Sequence, residues 1–152
     1  MDIALFQPDI AGNVGTSLRT AACFGVAAHI IEPCGFPFSE QALKRAGMDY
    51  ASRAEINRHG NWDAFQSWRQ QHQKKLILFT TKAATPLPDF TFTPNDILLF
   101  GSESSGVPDH VHDAADARVM IPMLPDFRSL NVAVSAGIAL AEALRQTKGF
   151  PA

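Results

Sequence analysis

Apolar positions along this chain follow two rhythms. Short, nearly unbroken apolar runs occur at residues 2–7, 27–31, 76–80, 97–100 and 119–121. Runs of this length, rich in Ile, Leu, Val and Phe, suit strands buried on both faces. Between them the apolar residues return at helical spacing. Residues 13–24 read as a helix with Asn13 as its N-cap. Residues 39–45 read as a short helix opened by Ser39, with Glu40 near its positive end. A weak strand covers 54–57, and Trp62, Phe65 and Trp68 then share one helical face. Residues 129–147 form the last helix, with Ser129 at the N-cap position. From Leu130 to Leu144 it is apolar almost all round, with Asn131, Ser135 and Glu142 as a narrow polar stripe. A helix this apolar is buried within its own domain or against a second copy, and a charge at Ala139 probes that packing.

Strands alternating with helices imply an α/β fold, a Rossmann-like arrangement around a mostly parallel sheet. Ligands of such sheets collect beyond the carboxyl ends of the strands. The loops after Gln7, Thr80, Phe100 and Ile121 are therefore where chemistry is expected. A length of 152 residues without repeats or low-complexity linkers suits one domain, 1–152. No apolar run is long enough for a bilayer, and the start Met1-Asp2-Ile3-Ala4 lacks a signal peptide's basic and apolar regions, so a cytoplasmic protein is expected. Two cysteines, Cys23 and Cys34, make no disulfide framework and read as packing residues. The net charge of −2 weighs mildly against a nucleic-acid partner. Lys44, Arg45, Arg53, Arg58 and His59 cluster locally, and on charge alone they read as a solvated face.

Three stretches carry candidate chemistry. Gly12-Asn13-Val14-Gly15-Thr16-Ser17-Leu18-Arg19 is a glycine-bounded turn before a helix, and its backbone N–H groups suit an anion. It has neither a phosphate-loop lysine nor the dinucleotide fingerprint. By itself it reads as a capped helix with a surface arginine, or as a contact to RNA phosphate or ribose. Phe100-Gly101-Ser102-Glu103-Ser104-Ser105-Gly106-Val107-Pro108 follows a buried strand. Gly101 allows close backbone approach to a ligand and Glu103 can bond a hydroxyl or amine, although a plain Gly/Ser turn fits as well. The third stretch, 121–131, holds two prolines that stiffen a loop running onto a helix N-terminus. The histidines show no metal spacing, no metal site is expected, and order alone supports no Ser-His-Asp or Cys-His set.

Together, in this order and spacing, the stretches resemble the three motifs of the SPOUT methyltransferases. The resemblance covers nearly the whole chain. It includes Ile30-Ile31-Glu32-Pro33 with Gly35-Phe36, Arg45-Ala46-Gly47-Met48-Asp49-Tyr50, Thr80-Thr81-Lys82, Phe100-Gly101-x-Glu103-x-x-Gly106-x-Pro108, and Ile121-Pro122-Met123-x-Pro125-Asp126-x-Arg128-Ser129-x-Asn131. It implies a deep C-terminal trefoil knot, a homodimer whose sites are completed by the partner, and no separate RNA-binding domain. It implies S-adenosyl-L-methionine held in a bent form by Phe79, Thr80, Gly101, Ile121, Met123, Ser129 and Leu130, leaving S-adenosyl-L-homocysteine as product. The reaction implied is methyl transfer to the ribose 2′-hydroxyl of the tRNA wobble nucleotide, cytidine or carboxymethylaminomethyluridine. Arg19, Glu103, Ser129 and Asn131 would carry it, with Asn13, Arg19, Lys82 and Arg128 holding the RNA. Ser104-Ser105 departs from the resemblance, since relatives often carry a basic residue before the glycine. The rival readings are a ribose methyltransferase acting elsewhere on tRNA or rRNA, a non-catalytic RNA-binding or assembly module of the same fold, and a doubly wound nucleotide-binding protein.

Overall fold

A computed structural model describes residues 1–45, 53–82 and 84–152. The elements are β1 (Asp2–Phe6), α1 (Ala11–Phe24), β2 (Ala27–Ile31), α2 (Glu40–Arg45), β3 (Ile56–His59), α3 (Trp62–Gln71), β4 (Lys75–Phe79), β5 (Thr85–Pro86), β6 (Asp96–Phe100), α4 (Asp109–Ala114), β7 (Ala117–Met120) and α5 (Val132–Thr147). The strands form one seven-stranded sheet in the order β3-β2-β1-β6-β4-β7-β5, and every pairing is parallel. The expected α/β sheet is thus present and wholly parallel. Part of the motif at 45–50 lies outside the described residues.

Two cores sandwich the sheet, because alternate strand residues point to opposite faces. Ile3, Leu5, Leu98 and Phe100 join Val14 and Leu18 of α1 and Ala136, Ala139 and Leu140 of α5. Ala4, Phe6, Ile97 and Leu99 meet Phe65 of α3 and Val111 of α4 on the other face. Helix α4 had no expected counterpart, since Asp109-His110-Val111-His112-Asp113-Ala114 places one buried apolar residue in a polar turn.

Helix starts depart from expectation in an instructive way. α1 begins at Ala11 with Ile10 as N-cap and no side-chain cap, so Asn13 lies inside the helix. The Gly12–Gly15 stretch is therefore helical: the N–H groups of Asn13 and Val14 donate to the Ile10 carbonyl at 3.1 and 3.3 Å. α5 begins three residues after Ser129, and the cap is Asn131, whose Oδ1 accepts from the N–H groups of Ala133 and Val134 at 2.8 and 3.2 Å. Pro125 opens a turn in which Phe127 N–H donates to the Leu124 carbonyl at 3.1 Å, so the non-helical chain runs on for longer than the apolar pattern implied. Ser39 does cap α2, its Oγ accepting from Ala42 N–H at 3.1 Å. Cys23 is exposed on α1 and is not a packing residue, whereas Cys34 is half-buried, its thiol raised to about 11 by burial and the nearby Glu32 carboxylate.

α5 presents two unlike faces. Ala133, Ala136, Ala139, Leu140, Ala143 and Leu144 are buried in the chain's own core. Val134 and Ile138 are 50% and 39% exposed, beside Leu130 at 38%. A helix apolar all round thus spends one face internally and leaves the other bare.

Candidate functional site

The sheet order decides where loops meet. β1 runs to β2 on one side and pairs β6 on the other, so the loops leaving β1 and β6 converge at a topological switch point. β4 lies between β6 and β7, with Phe79 in register with both Phe100 and Val119. The ends of three adjacent strands therefore open beneath one roof, the 121–131 loop. The cavity between them has a volume of about 630 Å³.

Its polar end is a continuous hydrogen-bonded chain. Asn131 Oδ1 is committed to the α5 N-terminus, so its Nδ2 faces outward and donates to Asn13 Oδ1 at 3.0 Å. Asn13 Nδ2 in turn donates to Glu103 Oε1 at 3.1 Å. Glu103 Oε2 accepts from the Asp9 N–H at 2.7 Å. Each amide orientation follows from the one before, beginning with the helix cap. The chain ties α1, α5 and the loops after β1 and β6 to one carboxylate.

Asp9 was not legible as a site residue. Its carboxylate Oδ2 accepts from Ser104 N–H at 3.1 Å and Ser104 Oγ–H at 2.5 Å, while its own N–H serves Glu103. This reciprocal clasp fixes the loop that carries Glu103. A Cβ at Gly35 would come within 2.9 Å of Asp9 Oδ1 and 3.0 Å of its Cα, which explains the glycine in the third loop packed here. The only sequence signal was Pro8 stiffening the chain ahead of an acidic residue.

Gly101 works differently from expectation. A Cβ there would meet the Gly106 backbone, at 2.6 Å from its carbonyl carbon and 2.7 Å from its Cα. Ser102 and Gly106 exchange backbone hydrogen bonds at 2.9 Å in each direction, and Gly106 has φ +64°. The close approach required of Gly101 is to its own loop, although the residue also lines the cavity.

Of the expected residues, Phe79, Thr80, Gly101, Ile121, Met123, Ser129 and Leu130 all line the cavity, and so do Asn13, Lys82, Glu103 and Asn131. Arg19 and Arg128 are exposed and are not on its wall. Arg19 lies six residues beyond Asn13 along α1, roughly 9 Å at 1.5 Å per residue. Arg58 pairs with Glu32 at 2.6 Å and covers the Phe38 ring, while its neighbour His59 is buried, so the basic cluster is not uniformly a solvated face. Among the described residues no group of three or more His, Cys, Asp or Glu side chains comes together to hold a metal.

The apolar walls suit a flat ring and the polar end suits a cationic or hydroxyl-bearing group, a division expected of a nucleoside-type ligand. Comparison with known proteins agrees. Residues 1–141 match the SpoU rRNA Methylase family, and the chain belongs to that family. It is similar to a tRNA (cytidine(34)-2′-O)-methyltransferase of Beijerinckia indica, 56% identical over 95% of this chain and 90% of the relative. A solved structure described as giving structural insights into the 2-OH methylation of C/U34 on tRNA superposes with a TM-score of 0.90 at 38% identity, over 97% of this chain and 96% of that one. An AdoMet-bound rRNA methyltransferase from Sinorhizobium meliloti superposes at 0.84 with 28% identity, over 94% of this chain and 55% of the other.

Proposed function

We propose that this chain transfers a methyl group from S-adenosyl-L-methionine to the ribose 2′-hydroxyl of the wobble nucleotide, cytidine or a modified uridine, in the tRNA anticodon. The observation that carries the reading is the Glu103–Asn13–Asn131 chain on the wall of a cavity that Phe79, Ile121, Met123 and Leu130 line with apolar side chains among Thr80, Lys82 and Ser129. The cofactor, when bound, supplies an electrophilic methyl group already activated on sulfonium sulfur. What remains for the protein is positioning. Phe79 and Ile121 would offer apolar surface for adenine, and Glu103 would offer negative charge to a sulfonium or an incoming hydroxyl.

Arg19 acts from outside the cavity wall in this reading. A guanidinium holds its proton too firmly to be a simple base, so its role is to clamp the phosphate next to the reacting ribose and stabilise the developing alkoxide. Arg128 and Lys82 extend that RNA-facing rim, and Ser129 orients ligand from the roof. Arg19→Ala should lower methyl transfer by roughly two to three orders of magnitude, about 2–4 kcal/mol, with cofactor affinity nearly unchanged. Wild-type turnover in that variant would remove Arg19 from the mechanism.

The same reading takes the chain as a cytoplasmic enzyme of one domain, knotted through the 121–131 loop, that binds RNA without a separate domain. It also takes the enzyme as a homodimer. Leu124 and Phe127 are 71% and 66% exposed, close in sequence to bare Leu130, Val134 and Ile138. Ile10 and Leu130 both line the cavity, so this apolar surface reaches its mouth. Ala139 points into the core and cannot report on the interface. Ile138→Glu can, and it should shift sedimentation toward monomer; a wild type that sediments as a monomer at micromolar concentration would sink the dimer. Nucleoside mass spectrometry of tRNA from a deletion strain tests the reaction itself. Loss of 2′-O-methylation at the wobble position is expected, and an unchanged tRNA with a changed rRNA ribose would favour the rival substrate.

A further inference from the structure

Asp9 is not on the cavity wall, yet it grips the one carboxylate of the polar chain. Each oxygen of Glu103 holds one donor from the same stretch of chain. Oε1 accepts from Asn13 Nδ2 at 3.1 Å and Oε2 accepts from the Asp9 N–H at 2.7 Å. Two donors on two oxygens fix the plane of the carboxylate and leave further lone pairs for a ligand. The Asp9 side chain closes the exchange. Its Oδ2 accepts from the N–H of Ser104 at 3.1 Å and from the Ser104 hydroxyl. Residue 9 thus donates to residue 103 and accepts from residue 104. Glu103 cannot turn, nor its loop slide, without breaking a bond to Asp9.

The chain accepts an unfavourable backbone to put Asp9 there. Gln7, at the end of β1, has φ +42°, a left-handed conformation that a side chain disfavours. The turn is pinned on the side of the loop after β2: Gln7 N–H donates to the Ile31 carbonyl at 2.8 Å, and Gly35 N–H donates to the Pro8 carbonyl at 2.9 Å. Gly35 also gives up a side chain for Asp9, since a Cβ there would lie 2.9 Å from Asp9 Oδ1. The loop that holds Gly35 is itself tied to β3, where Arg58 pairs with Glu32 at 2.6 Å and covers the Phe38 ring. Strain of this kind persists where the surroundings over-determine it, and it gathers at functional sites.

We propose that Asp9 is a positioning residue for methyl transfer: it holds the Glu103 carboxylate in its working orientation, and Gly35 holds Asp9. This rests on the methyltransferase reading above and adds to that site two residues that do not line the cavity. The effect is confined to Glu103. Gly101 is seated by the bonds between Ser102 and Gly106, in which Asp9 takes no part, so the surface that would receive the cofactor does not depend on the clasp.

Two measurements on the same variants test the assignment: single-turnover methyl transfer from S-adenosylmethionine to a tRNA with cytidine at the wobble position, and calorimetric affinity for S-adenosylhomocysteine. Asp9→Ala should slow transfer by roughly ten- to a hundredfold, the worth of hydrogen bonds to a charged group, with affinity nearly unchanged. Asp9→Asn keeps an oxygen acceptor for Ser104 and should recover most of the rate. Gly35→Ala, which presses on Asp9, should slow transfer in the same way. The decisive arm is a double-mutant cycle. In a Glu103→Ala background, Asp9→Ala should cost little more, because residues that act through one another are not additive. An equal cost with and without Glu103 would overturn the proposal, as would a wild-type rate in Asp9→Ala. Loss of S-adenosylhomocysteine affinity along with turnover would also overturn it, by assigning Asp9 to the fold. A wild type that transfers no methyl group to tRNA would instead remove the methyltransferase reading itself, so the two failures are distinguishable.

Discussion

Two polar clusters are built into the same sheet, and they are put together by opposite rules. One is the Glu103–Asn13–Asn131 chain at the cavity, made from a carboxylate and two amides on elements at its edge. The other lies under α3. There His29 Nδ1 is 2.9 Å from His59 Nε2, His29 Nε2 is 3.4 Å from Asp2 Oδ2, and Lys74 Nζ pairs with Asp2 at 2.9 Å. Trp68 and Phe65 close over both imidazoles. His29 and His59 are buried, whereas Asn131 is exposed and Asn13 half-exposed. The open cluster sets two amides around one carboxylate and borders space a ligand can fill. The sealed one is rich in titratable groups, and its imidazoles are packed under Trp68 and Phe65. Perturbed ionisation is often read as a mark of function. In this chain the lowered imidazole belongs to the sealed cluster, and the cavity is identified by its geometry.

The sharpest way to break the comparison is at Glu103. Glu103→Ala should reduce methyl transfer by roughly two to three orders of magnitude, on the scale of losing a preorganised electrostatic contact. The variant should remain folded by circular dichroism, because the carboxylate borders an open cavity. Near-normal turnover would place the open cluster beside the sealed one as architecture.

Acid should act on the sealed cluster. Burial and the neighbouring His29 hold His59 down to about 4, against 6.5 for an ordinary imidazole. The unfolded chain therefore takes up this proton first. Stability is fully present above pH 6.5, falls as the pH drops, and the loss is complete once the pH passes below about 4. One unit is about 1.4 kcal/mol, so the contribution is bounded at ~3 kcal/mol. For Asp2, burial pushes upward but the bonds from His29 and Lys74 prevail, so its carboxyl lies below the ordinary value and its share is lost at lower pH still. Urea midpoints between pH 7 and 4 should show the slope, and His59→Gln, which keeps a donor and does not titrate, should flatten it. An unchanged slope would exonerate His59.

Asn131 should show the smallest effect on stability and the most informative one, since it belongs to both the fold and the site. Asn131→Ala removes a helix cap, about 0.5–2 kcal/mol, and should lower the melting temperature by a few degrees in a chain this size. Asn131→Asp keeps the capping oxygen and loses the N–H bond to Asn13. Its melting temperature should stay close to wild type while methyl transfer falls. Equal turnover in wild type and the aspartate would show that Asn13 needs no help in orienting Glu103.

Strands β1, β2, β4, β6 and β7 and the carboxyl-end loops were legible because buried parallel strands leave unbroken apolar runs in the sequence, as at Leu76, Ile77 and Leu78, whereas the two-residue β5 leaves none and β3 starts two residues later than expected. Helix starts were not, because several residues with capping side chains compete within a few positions. Ser129 and Asn131 both qualify by type, and the non-helical stretch past Pro125 decides between them in space. Asn13 looked like a cap and instead became the middle of a polar chain, which only the approach of α5 could reveal. Asp9 was invisible for a related reason. Its partners, Ser104 and Glu103, come from a distant segment joined to it by sheet order.

The hairpin closed by Gly101 and Gly106 has a consequence for inheritance and for library design. Two backbones touch there, so what is specified at position 101 is the absence of a side chain. A methyl group at 101 meets main-chain atoms, which no change of neighbouring side chain can move aside. At 106 the positive φ sets a separate demand for glycine. The pair therefore cannot drift one step at a time, whereas the side chains at 104 and 105 lie at the exposed tip between two fixed points. A library randomised from 101 to 106 and selected for methyl transfer should return glycine at both ends, Glu103 between them, and its diversity chiefly at 105. Position 105 has the most room for new RNA preferences, because Ser104 also holds Asp9 in the clasp that fixes the Glu103 loop.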